Sequence, residues 1–376
     1  MTKQSLEFKR NDYPTIGVEI ELQLVDTETL ALSNSIAKIL EELPAELEAR
    51  VKPELMQSYL EINTGICNTV NDVELDLRDV LQKVDAIAAK QGLKLFWAAT
   101  HPFSSWRDQK ITVNDRYYRL VELMQDVARR LVTFGLHVHV GVDTGDKAVM
   151  ICDRMMRHLP LFLALSVNSP FWEGRNTGLH SNRSKIMEGL PTAGLPSQMR
   201  NYSEYVWLVR HLEETGFINT VREIWWDVRP HNNFGTVEIR MCDMPARLDQ
   251  VLALTALTQC LVEALSREID NGTYQSEYHP MMVEQNKWRA TRFGSDARLV
   301  NSDDYKTYSV QETTDHLVDL LLPIGKDLNC LERLESVRDL PKQTGADQQL
   351  EIFAETNSRE EVVRQMLAAN HWAKSG

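Results

Sequence analysis

Residues 15–26, TIGVEIELQLVD, constrain this chain more than any other stretch. Ile16, Val18, Ile20, Leu22 and Leu24 fall on one parity, and Gly17, Glu19, Glu21 and Gln23 on the other. Alternation with a period of two over so many residues specifies a β-strand with one face in a core. The opposite face then carries two carboxylates in line, which repel each other unless they meet water or a cation. Two further segments repeat the pattern. In GLHVHVGV (135–142), Leu136, Val138, Val140 and Val142 oppose His137, His139 and Gly141. In FGTVEIRMC (234–242), Val237, Ile239 and Met241 oppose Thr236, Glu238, Arg240 and Cys242. A fourth acidic pair, Glu54 and Glu61 in KPELMQSYLEINTG, flanks another expected strand.

Each pair alone is more commonly a solvated sheet face. Together they depart from one, since a plain solvated face would also carry Lys and Thr. Glu19 and Glu21 are therefore expected to face divalent cations in a cavity shared with His139 and Glu238. Carboxylates outnumber imidazoles, no cysteine has ligand-like spacing and no HExxH occurs. That favours Mg²⁺ or Mn²⁺ over zinc, which keeps a smaller claim through His137-x-His139. Hard cations in a many-carboxylate cavity usually serve phosphates. No Walker loop or GxGxxG is present, so a nucleotide would be held through metals and arginines such as Arg229, Arg240 and Arg292.

The formal charge of −13 over 376 residues argues against a general affinity for nucleic acid or anionic membrane. MTKQSLEFKRNDYP has no apolar run for a signal peptide, and no stretch is expected to reach the roughly 18 apolar residues of a membrane span. Cys67, Cys152, Cys242, Cys260 and Cys330 are scattered and odd in number, as reduced thiols in a soluble cytoplasmic protein would be. Asn71-Asp72-Val73-Glu74 is expected to cap a helix running to Lys90. Asn114 is expected to cap another ending near Gly135, and residues 253–269 form a third, stopped by Asn271-Gly272. LKLFWAAT (93–100) reads as a buried strand. The C-terminal third reads as mostly helical, with a linker at residues 341–345 and a last helix opened by Ser358 and Glu361. Residues 168–200, rich in Gly, Pro, Ser and Arg, lack periodicity. They are either an ordered ligand loop or a mobile excursion, and Trp172, Arg175, His180 and Arg183 favour the former.

GVEIELQLVD (17–26), PELMQSYLEINTG (53–65), THPFSSW (100–106), GLHVHVGV (135–142), SPFWEGRNTGLHSNR (169–183), WWDVRPH (225–231), FGTVEIRMCD (234–243) and EQNKWRATRFG (284–294) carry a resemblance. In that order they resemble the glutamate–cysteine ligase type 2 family of carboxylate–amine ligases, within the glutamine synthetase-like superfamily. The resemblance implies an α+β fold, a curved and mainly antiparallel β-sheet funnel backed by helices, like the catalytic domains of glutamine synthetase and guanidino kinases. It implies one ATP-dependent catalytic domain over residues 1–340, with residues 341–376 a linker and C-terminal helix packed on or extending from it. The implied chemistry joins a carboxylate, that of a glutamate side chain, to an amine through an acyl phosphate, releasing ADP and phosphate. Glu19, Glu21, Glu54, Glu61, His139 and Glu238 match the metal ligands, with His137 an alternative to His139. Arg240 matches the residue that neutralises the transferring phosphoryl group, and Arg175 and Arg183 are candidates for the substrate carboxylate. The implied partners are ATP, an amino acid and an amine, with Mg²⁺ or Mn²⁺; the oligomeric state is open, a homodimer included. Two other classes stay open: a metal-dependent hydrolase using the His and Glu cluster, and a silent ligase relative that binds a small molecule.

Overall fold

The TIGVEIELQLVD segment folds as strand β1 (Ile16–Asp26) in the computed structural model, which describes residues 5–273, 278–369 and 372. Its apolar parity is sealed: Ile16, Val18, Ile20, Leu22 and Leu24 are at most 1% exposed. Each such burial contributes roughly 1.5–3 kcal/mol before chain entropy is subtracted. The next strands are β2 (Val51–Pro53), β3 (Tyr59–Asn63), β4 (Leu93–Phe96) and β5 (Leu136–Gly141). Four two-residue strands follow, β6 (Phe171–Trp172), β7 (Arg175–Asn176), β8 (Ala193–Gly194) and β9 (Trp225–Trp226), then β10 (Val228–His231) and β11 (Thr236–Ile239).

One seven-stranded sheet runs in the order β10-β11-β5-β1-β3-β2, with β4 also on β1. All of its pairings are antiparallel. β5 takes the first half of one edge of β1, through Ile20, and β4 takes the second half from Gln23. The sheet is open, ending at β10 and β2, and helices cover its apolar face. Helix Val70–Lys90 packs on β1 and β4, and helix Leu248–Asp270 on β5. The architecture is α+β.

Several local expectations shift. The long helix starts two residues early, because Thr69 and Asp72 form the capping box: the Thr69 hydroxyl accepts the Asp72 N–H and the Asp72 carboxylate accepts the Thr69 N–H. Glu74 instead pairs with Arg78 and Arg333. Asn114 caps its helix as expected, but the helix ends at Met124, and after Gln125 (φ 49°) only a short turn, Asp126–Arg129, continues it. Leu131, Val132 and Phe134 are buried, and that apolar run enters the sheet rather than prolonging a helix. Helix Leu248–Asp270 is long and apolar enough to cross a membrane, contrary to expectation, yet 83% of its apolar window is buried within the fold. The C-terminal third also contains a hairpin, Arg298–Val300 with Thr307–Ser309, which its polar composition hid. Residues 341–345 are not a free connector: Lys342 closes a 3-10 turn in which Leu340 is buried, and Thr344 caps helix Gly345–Thr356. Gln349 of that helix donates to the side chain of Asn168 at 2.7 Å.

His101, in the THPFSSW motif, links pH to stability. It is 1% exposed, its Nε2–H donates to the Leu30 carbonyl (3.0 Å), and its Nδ1 accepts the N–H groups of Phe103 (3.3 Å) and Ser104 (3.0 Å). Burial, against a smaller pull from the Leu30 carbonyl, pushes the imidazole down to about 3. The folded value lies below the unfolded one near 6.5, so the contribution is complete above pH 6.5 and is lost as pH falls towards 3. His101→Asn should therefore be less stable than wild type at pH 7.5, and the gap should narrow by about 1.4 kcal/mol per pH unit below 6.5. Thermal melts of both proteins from pH 7.5 to 4.5 measure it; a constant gap would remove His101 from the account.

Candidate active site

Antiparallel register brings the polar parities of the strands into one field. Glu19 lies opposite His137, Glu21 opposite Glu61, Glu238 opposite His139 and Arg229 opposite Glu238. The result is a cavity of about 350 Å³ on the polar face, walled by Glu19, Glu21, Glu54, Glu61, His137, His139, Arg183, Arg229, Glu238 and Arg240.

Glu19 sits between two imidazoles. His137 Nδ1 is 3.2 Å from its Oε2, and His139 Nε2 is 3.4 Å from its Oε1. Burial raises the Glu19 carboxyl, but hydrogen bonds and charge from His137 and His139 outweigh it and hold the group well below the usual range. Glu238, 1% exposed, meets Arg229 through Nε (2.7 Å) and Nη2 (3.3 Å) and also binds Arg240 Nη1. There too burial is outweighed, by the guanidinium groups of Arg229 and Arg240, and the carboxyl stays ionised. The β3 side differs. Burial and the charge of Glu21 push Glu54 up to about 7, and burial with the charges of Glu19 and Glu54 pushes Glu61 well up. Carboxylates this crowded hold protons unless a cation replaces them.

The two histidines have different partners. His139 Nδ1 lies 3.0 Å from Thr236 Oγ1, and its buried Nε2 makes no close hydrogen bond. That nitrogen faces Glu19 Oε1 and Glu238 Oε1, at 3.4 and 3.8 Å. Among the described residues, Glu19, His139 and Glu238 form the group whose ligand atoms all converge within 4.8 Å. A ring held on one side by a hydroxyl and open on the other is the usual posture of a metal-binding imidazole. Two carboxylates and one imidazole suit a divalent cation, and the further carboxylates of Glu21, Glu54 and Glu61 make the set hard enough for Mg²⁺ or Mn²⁺.

The long segment is ordered by a buried carboxylate. Asp243, fully buried, accepts from the Asn168 N–H (2.9 Å), Ser169 Oγ (2.7 Å) and Ser181 Oγ (2.8 Å), drawing the two ends of the 168–184 stretch inward. Arg183 is thereby buried, donating to the carbonyls of Met241 (3.1 Å) and Arg240 (3.2 Å). Its guanidinium fills the space a Cβ on Gly135 would need, 2.3 Å from Nη2, while the Gly135 N–H donates to Glu21 Oε2 at 2.5 Å. Arg183 thus braces the backbone that carries Arg240. Arg175 and Arg292 are not brought to the cavity wall: Arg175 is exposed on the β6–β7 hairpin, and Arg292 stacks over its neighbour Phe293.

The model of glutamate–cysteine ligase family 2 matches residues 15–368. The chain belongs to that family. A relative from Gloeobacter violaceus named "Putative glutamate–cysteine ligase 2" is 40% identical over 368 residues, covering 97% of this chain and 99% of that protein. One of the same name from Thermobifida fusca is 42% identical over 340 residues, covering 89% and 85%. The fold is shared more widely. A crystal structure of a glutamate–cysteine ligase from Francisella tularensis in complex with AMP is similar with a TM-score of 0.68 at 13% identity, covering 96% of this chain and 89% of that one. A bifunctional glutathione synthetase from Pasteurella multocida gives 0.66 at 12% identity, covering 95% of this chain and 52% of that one.

In this member of the family, the cavity wall also includes residues that sequence reasoning missed. Lys52, Arg116 and Arg222 line it, as do Tyr117, His231 and Phe234. Lys52 had one local signal, its parity with Glu54 two residues on, and register sets it opposite Glu61. Arg116 and Arg222 belong to segments whose place over the sheet is set by distant packing, so no spacing announced them.

Proposed function

We propose that this protein is an ATP-dependent carboxylate–amine ligase. The side-chain carboxylate of glutamate attacks the γ-phosphate of ATP, ADP leaves, and an amine displaces phosphate from the acyl phosphate to form an amide. Cysteine is the first amine to test, from the relatives' names. The observation that carries this reading is the convergence of Glu19, His139 and Glu238 with Arg229 and Arg240 on one cavity wall. Phosphoryl transfer needs charge neutralisation and in-line placement more than a covalent nucleophile.

Glu19, His139 and Glu238 would hold Mg²⁺ or Mn²⁺, with Glu21, Glu54 and Glu61 beside them, and the cation would neutralise phosphate charge. Arg240 meets the charge on the transferring phosphoryl oxygens. Arg229 keeps Glu238 oriented by its two-point contact. Lys52, Arg116 and Arg222 supply cations on the same wall for a substrate carboxylate.

Hydroxylamine tests the intermediate. With ATP, Mg²⁺ and glutamate, it should intercept the acyl phosphate as a hydroxamate, in step with ADP release. AMP and pyrophosphate as products would replace this reading with adenylation of the acid.

A further inference from the structure

One wall of the cavity ends in an exposed phenyl ring. Phe234, at the turn between β10 and β11, is 54% exposed, and among the described residues it is the one exposed large apolar side chain on that wall. It stacks on His231, with ring centres 4.2 Å apart and planes 12° from parallel. Both rings meet His139 edge to face, at 5.4 Å for His231 and 5.6 Å for Phe234.

The turn that presents this ring is clamped. The Phe234 N–H donates to His231 Nδ1 at 3.3 Å, and Asn11 Nδ2 donates to the carbonyls of Phe234 (2.8 Å) and Gly235 (2.7 Å). The Lys9 N–H donates to the Asn232 carbonyl at 3.0 Å, and Asn232 Nδ2 returns a bond to the Ser5 carbonyl at 3.0 Å. Gly235 has φ +67°, and a Cβ there would lie 1.6 Å from the Lys9 carbonyl oxygen, so only glycine lets the two segments touch. Singly exposed apolar side chains are ordinary. An aromatic ring with one face packed, its backbone pinned from two sides and its remaining surface in a polar cavity is different: it is preorganised to stack on a planar ligand.

We propose that Phe234 is the stacking platform for the adenine base of ATP, holding the base at the cavity edge while the phosphates reach inward to Glu19, His139 and Glu238. The identity of the ligand rests on the ligase reading above; the platform itself rests on the turn. The closeness of Phe234 to His139 puts the convergent carboxylates within reach of a ribose and its phosphates. Because every base offers a π-face, such a platform contributes affinity with little discrimination among purines.

Calorimetric titration of the full-length protein with ADP in Mg²⁺, and separately with tripolyphosphate, tests the assignment. Phe234→Ala should weaken ADP binding roughly ten- to hundredfold. It should leave tripolyphosphate binding and Tm near wild type, since the ring is exposed and the turn is held by bonds to its backbone. Phe234→Trp should restore ADP binding. Phe234→Ala binding ADP as wild type does, or losing tripolyphosphate in equal measure, would overturn the platform; so would a loss confined to Trp225→Ala, a second aromatic on that wall. Failure of the wild type to bind ADP at all would instead sink the ligase reading, and the platform with it.

Discussion

Arg240→Lys is expected to lose roughly 10²-fold or more in kcat with little change in ATP affinity or Tm. Arg240 is 14% exposed at its side chain, lines the cavity and touches Glu238 through Nη1. Glu238 does not depend on that contact for its placement. Arg229 already holds it at two points, and Arg229 is itself anchored on the Ile224 carbonyl at 2.6 Å. A lysine at 240 would keep a positive charge beside Glu238 and so keep most of the stability. It would lose the planar fork that can meet two phosphoryl oxygens at once. Charge on those oxygens changes during transfer, so the contact belongs more to the transition state than to the ATP complex. Arginines in this role are worth on the order of 10³–10⁵ in turnover. Near-normal kcat with a lowered Tm would reduce Arg240 to a salt-bridge partner of Glu238. Steady-state kinetics, ATP titration and a thermal melt on the one variant decide it.

Glu19→Gln is expected to cut activity at least about 10²-fold at low Mg²⁺ and to recover part of it as Mg²⁺ or Mn²⁺ is raised. The substitution keeps the shape of the side chain and removes an anionic group from the proposed metal-binding set. Glu19 is a better choice than Glu238 for physical reasons. Glu238→Gln would leave the buried guanidinium of Arg229 and that of Arg240 without their shared carboxylate, and breaking a buried pair in this way costs about 3–5 kcal/mol. Its lost activity could then reflect a damaged fold. The partners of Glu19 are His137 and His139, which can release their protons, so no obligatory buried charge is stranded. Normal activity of Glu19→Gln at low Mg²⁺, with an unchanged melt, would mean that the strand faces only water.

Much of the candidate site was visible before any fold was known, because parity along a strand is local. Side chains two apart share a face whatever the strand later pairs with. The apolar parity of β1 named a buried face, and the opposite parity named Glu19 and Glu21 as neighbours. The same logic separated Val138 from His139 and Ile239 from Glu238. Less of the helical scaffold was visible. Thr69 and Asp72 make as good a capping box as the one expected two residues on, and local sequence does not choose between them. Residues 125–135 looked helical, yet burying Leu131, Val132 and Phe134 won over extending the helix.

Sequence alone therefore determined which side chains each strand presents together, since that follows from backbone pleat. It could not determine which strands lie edge to edge. His137 and His139 share one parity, so no pattern could rank them. The pairing of β11 with β5 sets Glu238 opposite His139, and Thr236 then occupies the far nitrogen of that ring. Arg175 and Arg183 were equal candidates in one polar loop. The buried Asp243, some 60 residues away along the chain, draws Arg183 inward, while the β6–β7 hairpin carries Arg175 out to solvent. Phe234 entered only as the first residue of an expected strand; the structure puts it in a turn whose backbone residues 5–11 clamp. Each of these outcomes depends on contacts between segments far apart in the chain, where register and the satisfaction of buried charge, rather than local periodicity, set the lowest free energy.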